Sequence, residues 1–340
     1  MNILVTGGAG FIGSNFARYW FNKYPGDNVV VYDKLTYAGN LDNIRDLIED
    51  DRFSFVKGDI IDGEFFGQTL ENYGIDTIVH FAAETHVDRS IEGPEIFVKS
   101  NVSGTQKILD EIRKRPEIRL HHISTDEVFG SLPLDRPELK FTEESKYDPK
   151  SPYSASKAAS DHLVRAYINT YNIKATISNC SNNFGPYCHP EKLIPLVITR
   201  AMADEEIPVY GDGLQVRDWI FVEDHCRGID LIIQKGRLGE TYILGGDGEQ
   251  SNIWVIRELL RILGKPESLI VHVGDRKGHD RRYAMDYSKA RKELGFAPEK
   301  DFTERLKDTV RWYTEHKEWW LPLKDQADKI AEKYLADRMK

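Results

Sequence analysis

Between a short apolar run, Ile3-Leu4-Val5, and a helical pattern from Asn15 to Tyr24, the chain reads Thr6-Gly7-Gly8-Ala9-Gly10-Phe11-Ile12-Gly13-Ser14. Glycines at 7, 10 and 13 permit a tight strand-to-helix turn, close approach of backbone to a pyrophosphate and close packing of helix on strand. The helix N-terminus then faces the anion. A second strand, Asn28 to Tyr32, ends at Asp33, twenty residues after Gly13, where a carboxylate can accept the hydroxyls of an adenosine ribose. That carboxylate would repel a 2′-phosphate and so favours NAD over NADP, although Lys34 beside it works the other way. The alternation continues with Phe53 to Lys57 running into Gly58-Asp59-Ile60, then a helix, then Thr77 to Ala83. Strands alternating with helices of this length predict an α/β fold with a Rossmann-type, doubly wound parallel sheet. Asp59 and Ile60 are expected at a strand end near the adenine, and Ala82 and Ala83 are small enough to let a cofactor lie close.

A second stretch opens with Ser124-Thr125-Asp126-Glu127-Val128-Phe129-Gly130 and closes with Tyr153-Ser154-Ala155-Ser156-Lys157. Leu120 to Ser124 has the pattern of a strand, and neighbouring side chains on a regular strand point to opposite faces. Thr125, Asp126 and Glu127 therefore share a pocket only if the strand ends there and the backbone bends. Such a bend is expected at the carboxyl end of a strand, where α/β folds place ligands. Pro152 opens a helix on which Tyr153 and Lys157, four apart, occupy one face. An ammonium near a phenol favours phenolate and lowers a pKa that starts near ~10. The same spacing recurs at Tyr19 with Lys23 and Tyr313 with Lys317. Position after the strand and the acidic pair is what singles out Tyr153. Upstream, a helix expected from Pro94 to Lys114 carries Asn101 and Thr105.

Beyond about residue 175 the alternation weakens, as a smaller lobe requires, and 340 residues suffice for one. Ser181-Asn182-Asn183, Pro190 to Pro195, Pro208 to Gly213, Arg217-Asp218-Trp219 and Asp275 to Arg282 are loop-rich segments mixing amides, cations and aromatics. The mixture suits a nucleotide diphosphate, while each cation taken singly is an ordinary surface group. The formal net charge of -9, with no basic block, argues against a nucleic-acid partner. Cys180, Cys188 and Cys226 are too few for a disulfide framework and too scattered for a zinc site. The sequence spacing supplies no metal co-ligands for His225 and His279, so no metal is expected. Met1 to Val5 enters a strand directly, and no apolar stretch approaches a bilayer-spanning length. No membrane contact and a cytoplasmic location with reduced thiols are the expectation. Trp319-Trp320 is expected to pack at an interface or lobe edge, and Lys324 to Lys340 reads as a charged, partly exposed terminal helix.

With these pieces in place, the chain resembles the extended short-chain dehydrogenase/reductase superfamily and, within it, the dTDP-glucose 4,6-dehydratases. The resemblance is carried by TGGAGFIGSNF (6–16), YDKLTYAGN (32–40), HFAAETHVDRSI (80–91), STDEVFG (124–130), SPYSASKA (151–158), SNNFGPY (181–187), PEKLIP (190–195), PVYGDG (208–213), RDWIFVEDH (217–225) and GHDRRYAMD (278–286). The Asp-Glu pair of STDEVFG is absent from the related sugar epimerases. The resemblance implies that Tyr153 takes the proton from the sugar O4 while C4 is oxidised by NAD, and that Thr125 bonds O4. Lys157 would lower the phenol pKa and hold the nicotinamide ribose. Glu127 would then remove the C5 proton while Asp126 protonates the departing C6 hydroxyl.

Around NAD the resemblance implies Gly7, Gly10, Phe11, Ile12 and Gly13, then Asp33, Lys34, Leu35 and Thr36, then Asp59, Ile60, Phe81, Ala82, Ala83 and Asn182. Around a nucleotide sugar such as dTDP-glucose it implies Thr85, Asn183, Lys192, Leu193, Pro208, Val209, Tyr210, Arg217, Asn252, Arg276 and His279. It further implies residues 1–180 with roughly 215–245 as the NAD-binding domain, and roughly 181–214 with 246–325 as an interleaved substrate-binding lobe ahead of a charged tail at 326–340. A homodimer is implied, packed through helices near 94–114 and 153–170. Phe129 and Phe184 stand where the family often has Tyr, Thr85 where Ser is usual, and Lys277 where Pro is frequent. A UDP-glucose dehydratase shares the chemistry, a 4-epimerase lacks a use for the acidic pair, and a non-catalytic NAD-binding protein has no use for any of the reactive side chains.

Overall fold

The computed structural model describes residues 1–275 and 278–336. Seven strands form its main sheet: β1 (Asn2–Thr6), β2 (Asn28–Asp33), β3 (Phe53–Lys57), β4 (Thr77–His80), β5 (Arg119–Thr125), β6 (Lys174–Cys180) and β7 (Thr241–Leu244). Their order is β7-β6-β5-β4-β1-β2-β3, and every neighbouring pair is parallel. The chain steps outward from β1 to β3 and then resumes on the other side of β1 with β4. The carboxyl ends of β1 and β4 therefore flank the crevice where a doubly wound sheet binds ligands.

Parallel strands are covered on both faces and so carry apolar residues on both. Ile3, Val5, Val29, Val31 and Val79 enter one buried cluster, while Leu4, Val30, Tyr32 and Ile78 enter another. A third cluster gathers Phe184, Trp219 and Trp320 with the inner faces of α5 (Leu193–Met202), α7 (Asn252–Leu263) and α8 (Phe302–Glu315). It lies in the region where sequence alternation weakens.

Helix α1 (Phe11–Lys23) begins earlier than Asn15, because Gly10 takes the N-cap position and its carbonyl accepts from Ser14 N at 3.0 Å. It is followed by α2 (Gly63–Asn72) and α3 (Thr105–Arg113). The helix expected from Pro94 to Lys114 is not uniform: Val98–Gly104 is a π-helical stretch between Glu95–Phe97 and α3. Helix α4 (Pro152–Tyr171) has Pro152 in its first turn, and Ser151 and Ser154 cap each other's backbone N–H at 3.1 and 3.0 Å. The strand expected to reach Ala83 stops at His80.

The two other Tyr-x-x-x-Lys pairs are accounted for by packing. Tyr19, Lys23 and Tyr24 converge on the buried Asp230 of α6 (Val222–Lys235) at 3.0, 2.6 and 2.8 Å, stapling α1 to α6. Tyr313 is fully buried and donates to the Cys188 carbonyl. Helix α9 (Lys317–Leu335) runs through residue 326, where a tail was expected to begin, with Ala327 and Ala331 buried and Asp328 paired to Arg200 at 2.7 Å. Among the described residues no helix is long and apolar enough to cross a membrane, and no group of three His, Cys, Asp or Glu could hold a metal ion. Cys180, Cys188 and Cys226 are free and buried.

The turn after β1 supplies a test. A Cβ on Gly13 would lie 2.4 Å from the Gly7 carbonyl oxygen and 2.9 Å from Gly8 Cα, both rigid backbone. Gly13→Ala should therefore cost about 1–3 kcal/mol through overpacking, read as a lower urea midpoint; an unchanged midpoint would show that the turn is looser than described.

Candidate active site

One cavity runs along the carboxyl edge of the sheet and is lined by both sets of motif residues. At its β1–α1 end, Gly7 has φ +68° and a Cβ there would meet Ala82 N at 2.7 Å, so only glycine fits. Gly10, Phe11, Ile12 and Gly13 line the wall. The first turn of α1 has no side-chain cap and no acidic residue, which leaves the positive end of the helix dipole for an anion. Asp33, at the end of β2, accepts from Ala9 N at 3.0 Å and Leu35 N at 2.7 Å. Burial pushes its pKa up while these two donors pull it down.

Lys34 is paired with Asp59 at 2.7 Å. Thr36, Ile60, Phe81, Ala82, Ala83 and Asn182 also line this end, and Asn182 Oδ1 is buried without a partner in the protein. A dipole for a pyrophosphate, a carboxylate for ribose hydroxyls and an unused amide oxygen together fit a dinucleotide. Leu35 departs from expectation: its side chain does not line the cavity. Its backbone takes φ +58°, and it serves Asp33 through its N–H.

At the other end, β5 does bend where its sequence requires. Thr125 ends the strand, Asp126–Phe129 form a 3₁₀ turn, and Thr125 Oγ1 accepts from Glu127 N at 3.3 Å. Thr125, Asp126, Glu127, Tyr153 and Lys157 all face the cavity. Asp126 is 1% exposed, accepts from the Thr125 hydroxyl at 3.0 Å through Oδ1, and has a buried Oδ2 with no partner. Burial and the neighbouring Glu127 push its pKa well above the usual carboxylate range. Glu127 is only half-buried. The adjacent carboxyls thus sit in different environments.

The expected lowering of the Tyr153 pKa is not what the protein atoms produce. Burial first, and then the charge of Glu127, push the phenol well above its ordinary value. The Lys157 ammonium donates instead to the Ile123 carbonyl at 2.7 Å, and burial lowers its own pKa.

The remaining wall carries Thr85, Asn183, Lys192, Leu193, Pro208, Val209, Tyr210, Arg217, Asn252 and His279. Arg276 and Lys277 lie outside the described residues. The Arg217 guanidinium stacks 4.3 Å over the Tyr283 ring. His225 Nδ1 meets Asn183 Oδ1 at 2.9 Å, and burial lowers that imidazole to about 3, so it is neutral and acts to orient the amide. Asn252 Oδ1 is buried without a partner.

Sequence reasoning missed several lining residues. Glu84 and Glu191 sit inside recognised motifs, and their burial could not be read from spacing. Glu191 accepts from Tyr37 at 3.0 Å, tying the loop after β2 to the Pro190–Pro195 segment, and Arg89 lies 3.8 Å over the Tyr37 ring. Ser100 lines the cavity from the π-helical stretch, which also aims Asn101 at the Glu84 backbone and the Ser156 hydroxyl. Trp319 reaches the cavity too, its indole donating to Asn43 at 2.8 Å, and so does more than pack at an edge.

Comparison with known proteins places this geometry. Residues 4–309 match the family model described as GDP-mannose 4,6 dehydratase. The chain is 50% identical to a dTDP-glucose 4,6-dehydratase of Xanthomonas campestris pv. campestris over 93% of this chain and 94% of the relative. It is 48% identical to one of Mycobacterium tuberculosis, covering 96% and 98%. Among solved structures, DesIV, a dTDP-glucose 4,6-dehydratase from Streptomyces venezuelae with NAD and TYD bound, superposes with a TM-score of 0.91 at 48% identity, covering 95% of this chain and all of that one. The chain belongs to the dTDP-glucose 4,6-dehydratase family.

Proposed function

We propose that the chain dehydrates dTDP-glucose to dTDP-4-keto-6-deoxyglucose with NAD held in the glycine-turn half of the cavity. The observation that carries this reading is the pairing of a buried carboxyl, Asp126, with a half-buried one, Glu127, on the same wall as Tyr153 and Lys157. An elimination needs an acid and a base together, and unlike environments separate two such pKa values. A 4-epimerase has no step that uses this pair. NAD is favoured over NADP because Asp33 repels a 2′-phosphate and the Lys34 charge is already matched by Asp59.

When bound, NAD would supply a hydride acceptor for the oxidation at C4 and a hydride donor for the reduction at C6. Tyr153 moves the O4 proton, Thr125 hydrogen-bonds O4, and Lys157 brings a positive charge to the same helix face. The 4-ketone acidifies the C5 hydrogen, which Glu127 removes. Asp126 gives its proton to the C6 hydroxyl, which leaves as water. Glu127 gains the C5 proton while Asp126 loses one to the leaving hydroxyl; Glu127 is reset by returning its proton to C5, and Asp126 by taking up from solvent the equivalent of the proton that Tyr153 removed from O4 and releases.

The division of labour follows the two ends of the cavity. Residues 1–180 with roughly 215–245 hold NAD, and roughly 181–214 with 246–325 hold the nucleotide sugar. We also infer a homodimer through the helices near 94–114 and 153–170, where Ile96, Val98 and Tyr171 are exposed apolar side chains. Three free thiols suit the reducing cytoplasm.

Incubation with dTDP-glucose should yield a 4-keto-6-deoxy sugar with no net NADH; steady accumulation of NADH would indicate a simple dehydrogenase. Glu127→Gln should leave oxidation at C4 intact yet slow overall turnover by roughly 10²- to 10⁴-fold, and a normal overall rate would remove Glu127 from the mechanism. Tyr153→Phe should reduce the first oxidation by a similar factor of about 10²–10⁴, measured as single-turnover appearance of reduced cofactor; full activity would assign the O4 proton elsewhere.

A further inference from the structure

Behind Lys157, away from the cavity, lies a buried polar group that the reaction as described does not use. Asp161 is one turn further along α4 and is fully buried. Its Oδ1 meets His122 Nε2 at 3.1 Å. Its Oδ2 accepts from the Ser124 hydroxyl at 2.6 Å and the Tyr147 hydroxyl at 2.8 Å. His122 and Ser124 belong to β5, two of the residues leading into Thr125-Asp126-Glu127. Lys157 itself bonds the Ile123 carbonyl between them. The helix carrying Tyr153 and Lys157 is therefore registered against the strand delivering the acidic pair by bonds that converge on one carboxylate and one ammonium.

Charge points the same way. The titratable groups in electrostatic reach of Lys157 are Asp161 from its own helix, His122 from β5, His80 from β4 and Cys180 from β6, and Tyr153 shares its cavity wall. Burial holds both imidazoles below their ordinary pKa and raises the Cys180 thiol to about 12, so all three are neutral near pH 7. Burial would raise the Asp161 pKa, but the bond and charge interaction with His122, the Lys157 charge and the Ser124 bond outweigh it and hold the carboxyl below its ordinary value. Among the described groups facing Lys157, Asp161 is the carboxylate acting to keep it charged.

We propose that Asp161 is a positioning residue of the reaction: its carboxylate locks α4 to the end of β5 and supplies the counter-charge that keeps the buried Lys157 an ammonium. The proposal rests on the reading of Lys157 as the cationic partner of Tyr153 in the dehydration. It acts through Lys157 and touches neither substrate nor cofactor. A buried ion without such a partner tends to neutralise.

Asp161→Asn preserves shape, and the Ser124 and Tyr147 hydroxyls can rotate to accept from the new amide. Without the negative charge, Lys157 loses its proton more readily, so the alkaline limb of the kcat–pH profile should move to lower pH by about 1–3 units. In the substrate-free chain with [¹³Cε]-lysine, the Lys157 resonance, assigned with Lys157→Met, should titrate at a correspondingly lower pH. Ser124→Ala, which removes one bond but no charge, should leave that midpoint within a few tenths of a unit. A uniformly slower Asp161→Asn enzyme with an unmoved limb and midpoint would reduce Asp161 to a packing role and overturn the proposal. In the unaltered chain the same resonance must report an ammonium at neutral pH; a neutral amine would overturn it whether or not the variant folds. Because the resonance is read without substrate, it stands apart from whether dTDP-glucose is turned over.

Discussion

Asp126 sits 1% exposed at the point where β5 gives way to a 3₁₀ turn, with Glu127 beside it and one of its own oxygens lacking a partner. A carboxylate buried in this way would be strongly disfavoured, and the neighbouring negative charge adds to that. Burial therefore favours the protonated form of Asp126, while Glu127 lies closer to solvent. In the proposed dehydration, placement alone would make an acid and a base of two chemically similar side chains. The 3₁₀ turn is what makes this possible, because a continued strand would have sent the two carboxyls to opposite faces.

That placement depends on the parallel sheet beneath it. The order β7-β6-β5-β4-β1-β2-β3 brings the end of β5 to the same edge as the glycine turn after β1 and the carboxylate after β2. The β5 end is then held against α4 through Asp161, His122, Ser124 and Lys157, and against β6 by Asn179 donating to the Thr125 carbonyl at 3.1 Å. The loop after β2 and the Pro190–Pro195 segment are joined across the cavity by Tyr37 and Glu191. Both oxygens of the buried Asp161 carboxylate are hydrogen-bonded, and a buried polar group satisfied in this way helps to fix a single geometry.

Much of this was legible in the sequence because the informative residues have few alternatives. Gly7 is needed for its positive φ, Asp33 for its place at a strand end, and Pro152 for the start of a helix. The bend at Thr125 followed from requiring three successive side chains to share a pocket. What escaped were features set by distant contacts. The π-helical stretch at 98–104 has an ordinary helical sequence, and from it Asn101 reaches Glu84 and Ser156. Leu35 carries a motif position but contributes an N–H. The phenol of Tyr153 could not be judged from its spacing to Lys157, because its burial and the direction of the ammonium, toward Ile123, depend on the packed structure. Asp161 gave no signal at all, being one polar residue on an amphipathic helix until β5 is laid against it.

The central claim is that Asp126, buried beside the more exposed Glu127, is the protonated member of the pair at neutral pH. Infrared difference spectra between the unaltered chain and Asp126→Asn, recorded at neutral pH, test it most directly. The account predicts that the substitution removes a protonated-carboxyl carbonyl band and leaves the carboxylate bands unchanged. Loss of carboxylate intensity with no change in the protonated-carboxyl region would contradict it.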